Sequence, residues 1–89
     1  MVVPSARLTL LGKPGCHLCD AARDVVASVL ADLPPAASVS LEELSILDDP
    51  ELNERYWDEI PVVLIDGRVH NIWRIDPDRL KQALVEATS

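Results

Sequence analysis

The stretch "KPGCHLCD", residues 13–20, holds the only two cysteines of this 89-residue chain, and they stand three positions apart. Two cysteines at this spacing can form a structural disulfide, supply half of a metal site, or work as a redox couple. The sequence on either side of the pair narrows the choice.

The cysteine pair is predicted to lie where a strand passes into a helix. The short apolar run "RLTLLG", residues 7–12, ends in Gly-Lys-Pro-Gly, which is typical of a strand followed by a loop. Apolar residues then recur at helical spacing over residues 16–33, until Pro34 and Pro35 end the helix. The stripe predicted to be buried consists of Leu18, Ala22, Val25, Val26, Val29, Leu30 and Leu33. Cys16 would be at or next to the N-cap and Cys19 one turn inside.

A second strand and a short second helix are predicted next. "SVSLEELSI", residues 38–46, alternates in part and indicates a strand. Asp49 suits an N-cap and Pro50 the first helical position, so a helix is expected to run from there to Trp57. Tyr56 and Trp57 are expected at the edge of the core.

A β-hairpin and a last helix complete the chain. "PVVLIDGRVHNIW", residues 61–73, turns at the dipeptide Asp66-Gly67, and His70 on its second strand is expected to be exposed. Asp76 and Pro77 repeat the helix-start chemistry. The buried face of this helix is predicted to be Leu80, Ala83, Leu84 and Ala87. The order β-α-β-α-β-β-α predicts an α/β domain over residues 1–89, with a four-stranded mixed sheet and helices on both faces.

Helix geometry favours redox chemistry for the cysteines. Residues three apart share one helix face, and the unpaired N–H groups of a helix start stabilise a thiolate, which is the nucleophilic form of cysteine. A disulfide closing so small a loop contributes only about 2 kcal/mol, which makes it a weak staple. Zinc needs four ligands, and His17 and His70 are the only further candidates among cysteines and histidines. A zinc site would need outside ligands; it and a structural thiol pair remain alternatives.

Charge and hydropathy exclude some classes of function. The chain has 8 Lys and Arg against 15 Asp and Glu, a formal net charge of −7, which disfavours binding to nucleic acid or to an anionic membrane surface. The longest aliphatic run is "VVLI", residues 62–65, and the N-terminus lacks a signal-peptide pattern. A cytoplasmic location is therefore expected, where thiols are kept reduced.

A CxxC that opens a helix, followed downstream by "IPVVLIDG" at residues 60–67, resembles the glutaredoxin branch of the thioredoxin superfamily. The resemblance covers about residues 7–87 and is greatest to small, mostly uncharacterised bacterial glutaredoxin-like proteins. It implies a thioredoxin-like, glutaredoxin-type fold and a thiol–disulfide oxidoreductase in which Cys16 attacks and Cys19 resolves. Pro61 matches the cis-proline that faces the disulfide, so the backbone of Ile60 is expected to pair with an extended substrate.

Three further positions gain a role from the resemblance. Lys13 matches a lysine that meets the glutathione carboxylate in glutaredoxins, and Asp76 matches an acidic cap aimed at the glutathione amino group. A solvated loop lysine and an ordinary helix cap are the alternatives. His17 stands where proline is common, and it would stabilise the Cys16 thiolate, transfer protons, or simply be exposed. The usual Gly-Gly before the cap is replaced within "HNIWRID", where bulky Trp73 is expected to fill or reshape the glutathione shelf.

The expected activity is reduction of disulfides in proteins or low-molecular-weight thiols by a monomer without metal or bound cofactor. Glutathione or another small thiol is a candidate co-substrate. Two alternatives remain open. The chain could be a non-catalytic binding module of thioredoxin fold, or it could ligate an iron–sulfur cluster through Cys16 between two protomers.

Overall fold

A computed structural model describes residues 5–89; residues 1–4, which belong to the predicted domain and to the N-terminus without a signal-peptide pattern, lie outside this range. The elements are β1 (Ser5–Gly12), α1 (His17–Ala31), β2 (Ser38–Ser45), α2 (Pro50–Tyr56), β3 (Val62–Ile65), β4 (Arg68–Ile72) and α3 (Pro77–Ala87). This order confirms the predicted β-α-β-α-β-β-α arrangement. None of these helices is long and apolar enough to cross a membrane.

The four strands form one mixed sheet in the order β2-β1-β3-β4. β1 is parallel to β2, whereas β3 is antiparallel to both β1 and β4. The β3–β4 turn has positive φ at both central residues, 51° at Asp66 and 83° at Gly67, as a two-residue hairpin turn of type I′ requires. Leu11 pairs with Val62, so the end of β1 lies beside the start of β3. The loop that carries the cysteines and the segment that carries Pro61 therefore meet at one end of the sheet.

Helices cover both faces of the sheet because strand side chains alternate between the faces. One apolar cluster joins β1 and β3 to α1 and α3; its members include Leu8, Leu10, Val63, Val26, Leu80 and Leu84. The other joins the opposite face to α2; it includes Leu11, Val62, Leu64, Ile46, Tyr56 and, from α1, Cys19. Cys19 is thus part of the hydrophobic core.

Three predictions about burial or boundaries were wrong. Leu18 was expected in the buried stripe of α1 but is 45% exposed, since it lies on the side of the first turn that faces the loop after β4, whereas Cys19 in the same turn packs into the core. Tyr56 is buried as predicted, but Trp57 is 64% exposed. Neighbouring helical residues point about 100° apart, so both aromatic rings cannot face the same core. The second strand was predicted to include Ile46, but Ile46 lies after the end of β2 and is buried in a single 3-10 turn, Ile46–Asp48.

His70 is also less exposed than predicted. Its ring is half-buried, and within residues 5–89 its buried Nε2 has no hydrogen-bond partner. Burial lowers the pKa of His70 below its usual value, and the nearby Arg79 lowers it further, while Asp76 opposes the shift. The folded chain therefore favours the neutral imidazole.

The protein is expected to lose stability as the pH falls because of His70. The unfolded chain binds a proton at His70 near pH 6.5, whereas the folded chain binds it only at lower pH. The stability that the folded chain gains from neutral His70 is fully present above pH 6.5. It is lost as the pH falls through the lowered pKa. Urea midpoints measured at pH 7.5 and 5.5 should therefore differ less in His70→Gln than in the wild type. The control, His17→Gln, changes the exposed histidine and should keep the wild-type difference; an unchanged difference in His70→Gln would contradict the prediction.

Candidate active site

The loop after β1 delivers Cys16 to the start of α1. Gly15 has a φ of 74°, a conformation that glycine adopts without the strain a Cβ would cause, and it turns the chain out of the strand. Cys16 is the N-cap, with an extended backbone at φ −100° and ψ 114°. Its Sγ accepts a hydrogen bond from the Cys19 N–H at 3.2 Å. The sulfur therefore takes the place that the oxygen of Ser, Thr or Asp takes in most capped helices.

The two cysteines differ in exposure. Cys16 is half-buried at the tip of the helix, whereas Cys19 is 2% exposed and packs in the cluster with Leu11, Ile60 and Val62. Burial raises the pKa of Cys19 to about 11, and its hydrogen bond to the Cys16 side chain adds to the shift, while a backbone hydrogen bond from Lys13 opposes it. Cys19 is therefore a protonated thiol near neutral pH.

Gly12 at the end of β1 sets the position of Cys19. A Cβ on Gly12 would lie 3.1 Å from the Cys19 Sγ and 3.2 Å from its Cβ, closer than ordinary van der Waals contact. Any larger residue would have to displace the cysteine. The sequence showed Gly12 only as the end of a strand, because the contact depends on how α1 packs back onto β1.

The Ile60–Pro61 peptide bond is cis, as the family resemblance implied. Pro61 is fully buried, and its carbonyl accepts the Trp73 N–H at 2.8 Å. Ile60 belongs to the apolar cluster that contains Cys19 and against which Cys16 packs. The structure thus brings together four of the predicted site residues: Cys16, Cys19, Ile60 and Pro61.

The other three predicted site residues make no side-chain hydrogen bond to either cysteine within residues 5–89. Lys13 is exposed and lines a polar groove of about 440 Å³, and His17 is the exposed first residue of α1. The Asp76 Oδ1 accepts the N–H groups of Asp78 at 3.0 Å and Arg79 at 3.2 Å. The capping role of Asp76 is therefore confirmed, and a role toward glutathione stays a prediction.

Comparison with known proteins shows which family the chain resembles. The model of the family described as "Glutaredoxin-like domain (DUF836)" matches residues 7–85. The chain is 31% identical over 80 residues to the "Glutaredoxin-like protein YDR286C homolog" of Dictyostelium discoideum, covering 85% of this chain and 72% of that protein. It is 28% identical over 83 residues to the uncharacterized protein Rv0508 of Mycobacterium tuberculosis, covering 92% of this chain and 86% of that protein.

Solved structures support the same placement. The X-ray structure of target protein XcR50 from X. campestris superposes with a TM-score of 0.71 at 32% identity, covering 90% of this chain and 97% of that one. A mutant thioredoxin from Halobacterium salinarum superposes with a TM-score of 0.63 at 22% identity, over 96% of this chain and 76% of that one, and so shows a shared fold. With the family match over most of its length, the chain belongs to the glutaredoxin-like (DUF836) family and has the thioredoxin-like fold.

Proposed function

We propose that the protein is a thiol–disulfide oxidoreductase that reduces disulfides of proteins or of low-molecular-weight thiols through Cys16 and Cys19. The observation that carries the proposal is the asymmetry of the pair: Cys16 caps α1 and is accessible, while Cys19 is buried one turn behind it. A structural thiol pair has no need of one accessible sulfur at a helix start.

In the first step the Cys16 thiolate attacks one sulfur of a substrate disulfide. A mixed disulfide forms between Cys16 and the substrate, and the other substrate sulfur leaves as a thiolate that takes up a proton. The Cys19 N–H that points at the Cys16 sulfur, together with the positive end of α1, favours negative charge at this atom.

In the second step Cys19 loses its proton and attacks the Cys16 sulfur. A Cys16–Cys19 disulfide forms, and the second substrate sulfur leaves as a thiolate, so the substrate gains two electrons and the protein loses two. Burial raises the pKa of Cys19 to about 11, so its thiol is protonated in the resting protein and must lose the proton in this step. Two molecules of an external thiol, such as glutathione, or a dithiol reductase then restore the pair and are themselves oxidised. In this proposal the reaction takes place in the cytoplasm.

The backbone of Ile60 supplies a place to align the substrate. Within residues 5–89 neither its N–H nor its C=O makes a hydrogen bond, and the residue packs in the same cluster as Cys19. An extended substrate chain that pairs with Ile60 as one added strand residue would present its disulfide to Cys16.

A zinc site has less support than the redox couple. Among residues 5–89, no group of three or more His, Cys, Asp or Glu side chains is arranged to hold a metal ion. Structural zinc takes four ligands, so this chain would have to borrow two or more from elsewhere.

The two cysteines are expected to react at different rates with iodoacetamide at pH 7.5. Cys16 in the Cys19→Ser variant should be alkylated at least about tenfold faster than Cys19 in the Cys16→Ser variant, because Cys19 is buried and its thiol has a raised pKa. Mass spectrometry against time measures both rates. Disulfide reductase activity should be absent in Cys16→Ser, whereas Cys19→Ser should accumulate the mixed disulfide. Equal alkylation rates in the two variants would refute the assignment.

Gly12→Ala is expected to slow the second step. The added methyl group lies 3.1 Å from the Cys19 Sγ and must push it out of position. The substitution should cost about 1–3 kcal/mol of unfolding free energy, as over-packing of a core does. Stopped-flow measurement should show slower closure of the Cys16–Cys19 disulfide, while alkylation of Cys16 keeps its rate. In a Cys19→Ala background the destabilisation should shrink, since the sulfur contact is gone and only the contact with the Cβ of residue 19 remains; an undiminished cost would show that the added methyl group does not act through the sulfur.

A further inference from the structure

An apolar groove runs beside the cysteine pair. It encloses about 360 Å³ between α1 and the loop that joins β4 to α3, and its lining residues are Leu18, Ala21, Ala22, Val25, Trp73, Arg74 and Ile75. All but Arg74 are apolar. Leu18 directly precedes Cys19, and the Trp73 N–H is hydrogen-bonded to the Pro61 carbonyl, so the groove lies next to the proposed active site. Its volume is at the lower end of the range of small-ligand sites and suits one or two side chains.

Trp73, which lines one side of the groove, has a strained backbone that lowers the stability of the fold. Trp73 has a φ of 64°, which is unusual for a bulky residue and would suit glycine. Its backbone N–H donates to the Pro61 carbonyl at 2.8 Å, and its indole Nε1–H donates to the Asp58 carbonyl at 3.0 Å. The ring is nevertheless 54% exposed. A strained backbone that fixes an exposed aromatic ring is the combination expected of a binding residue, since the ring loses little further freedom when a ligand docks.

Charge at the edge of the groove favours an acidic ligand. The ion pairs of residues 5–89 join Arg23 to Asp20 and Glu43, and Lys81 to Asp32. Arg74 is exposed and takes part in none of them, although the chain has a formal net charge of −7. A carboxylate of a partner would find an available guanidinium at this point.

We propose that Trp73 and Leu18 determine substrate specificity by docking a large apolar side chain that neighbours the disulfide cysteine of an extended protein segment, with Arg74 pairing to an acidic residue beyond it. This inference rests on the proposed oxidoreductase function and narrows it to peptide disulfides of that composition. Small hydrophilic disulfides fill neither the apolar walls nor the contact with Arg74.

Two disulfide peptides test the proposal, identical except for leucine or serine beside the cysteine and each carrying a glutamate beyond it. The wild type should reduce the leucine peptide with a kcat/KM roughly tenfold higher, the usual scale for burial of an apolar group. Trp73→Gly removes the indole and relieves the positive φ, and it should abolish this preference, as should Leu18→Gln on the opposite wall. Trp57→Ala, which removes an exposed indole outside the groove, should keep it. Arg74→Gln should remove the salt dependence of the leucine-peptide reaction.

Binding without chemistry separates this proposal from the proposed function. In a Cys16→Ser/Cys19→Ser protein that also carries Trp57→Phe, Trp73 is the one remaining tryptophan. Its fluorescence should respond to the S-methylated leucine peptide at roughly tenfold lower concentration than to the serine peptide. Selective binding without turnover by the wild type would overturn the oxidoreductase and leave the groove standing. Equal turnover and equal binding of both peptides would overturn the groove and leave the oxidoreductase standing. Dimerisation that Trp73→Gly abolishes would assign the groove to a second copy of the chain.

Discussion

The hydrogen bond from the Cys19 N–H to the Cys16 sulfur joins the fold to the chemistry of this protein. An α-helix begins with N–H groups that lack partners, and α1 satisfies one of them with a sulfur atom. The same bond fixes the Cys16 side chain at the tip of the helix and aims backbone dipoles at it. Because helical residues three apart share a face, the second cysteine must then lie one turn deeper, against the sheet. The difference between the two thiols follows from this placement.

Sheet topology supplies the other half of the site. β1 and β3 are antiparallel neighbours, so the residues that follow β1 and those that precede β3 are far apart in sequence but adjacent in space. Cys16 follows the first strand and Ile60 precedes the other. Neither segment would form the site alone. The central pair of strands is therefore as necessary to the site as the cysteine motif.

Short sequence signals predicted the helices and strands well because the start of a helix or a turn depends on neighbouring residues. Asp49-Pro50 and Asp76-Pro77 begin helices, and Asp66-Gly67 forms the hairpin turn, since caps and turns depend on residues within one turn of the chain. The cis form of Pro61 could be predicted only from the family resemblance.

The exposure of individual side chains was harder to predict. The stripe of α1 includes Leu18 by spacing, but only the tertiary arrangement shows that Leu18 faces the loop after β4 and is exposed. The contact of Gly12 with Cys19 and the left-handed backbone of Trp73 likewise depend on packing between distant segments.

Two departures from the rules of stable packing lie close together at the end of the sheet that carries the cysteine pair. Among the residues described, no polar or charged residue is buried, and the two apolar clusters follow the alternation of the strands. At the end where β1 stops, by contrast, Leu18 and Trp73 are exposed, and Trp73 has a positive φ. A small domain has little stability to lose, so several unfavourable features in one place require an explanation beyond folding. Burial of Leu18 and Trp73 by a partner would remove the cost of their exposure, so binding gives these residues beside the reactive sulfur a purpose that folding alone does not.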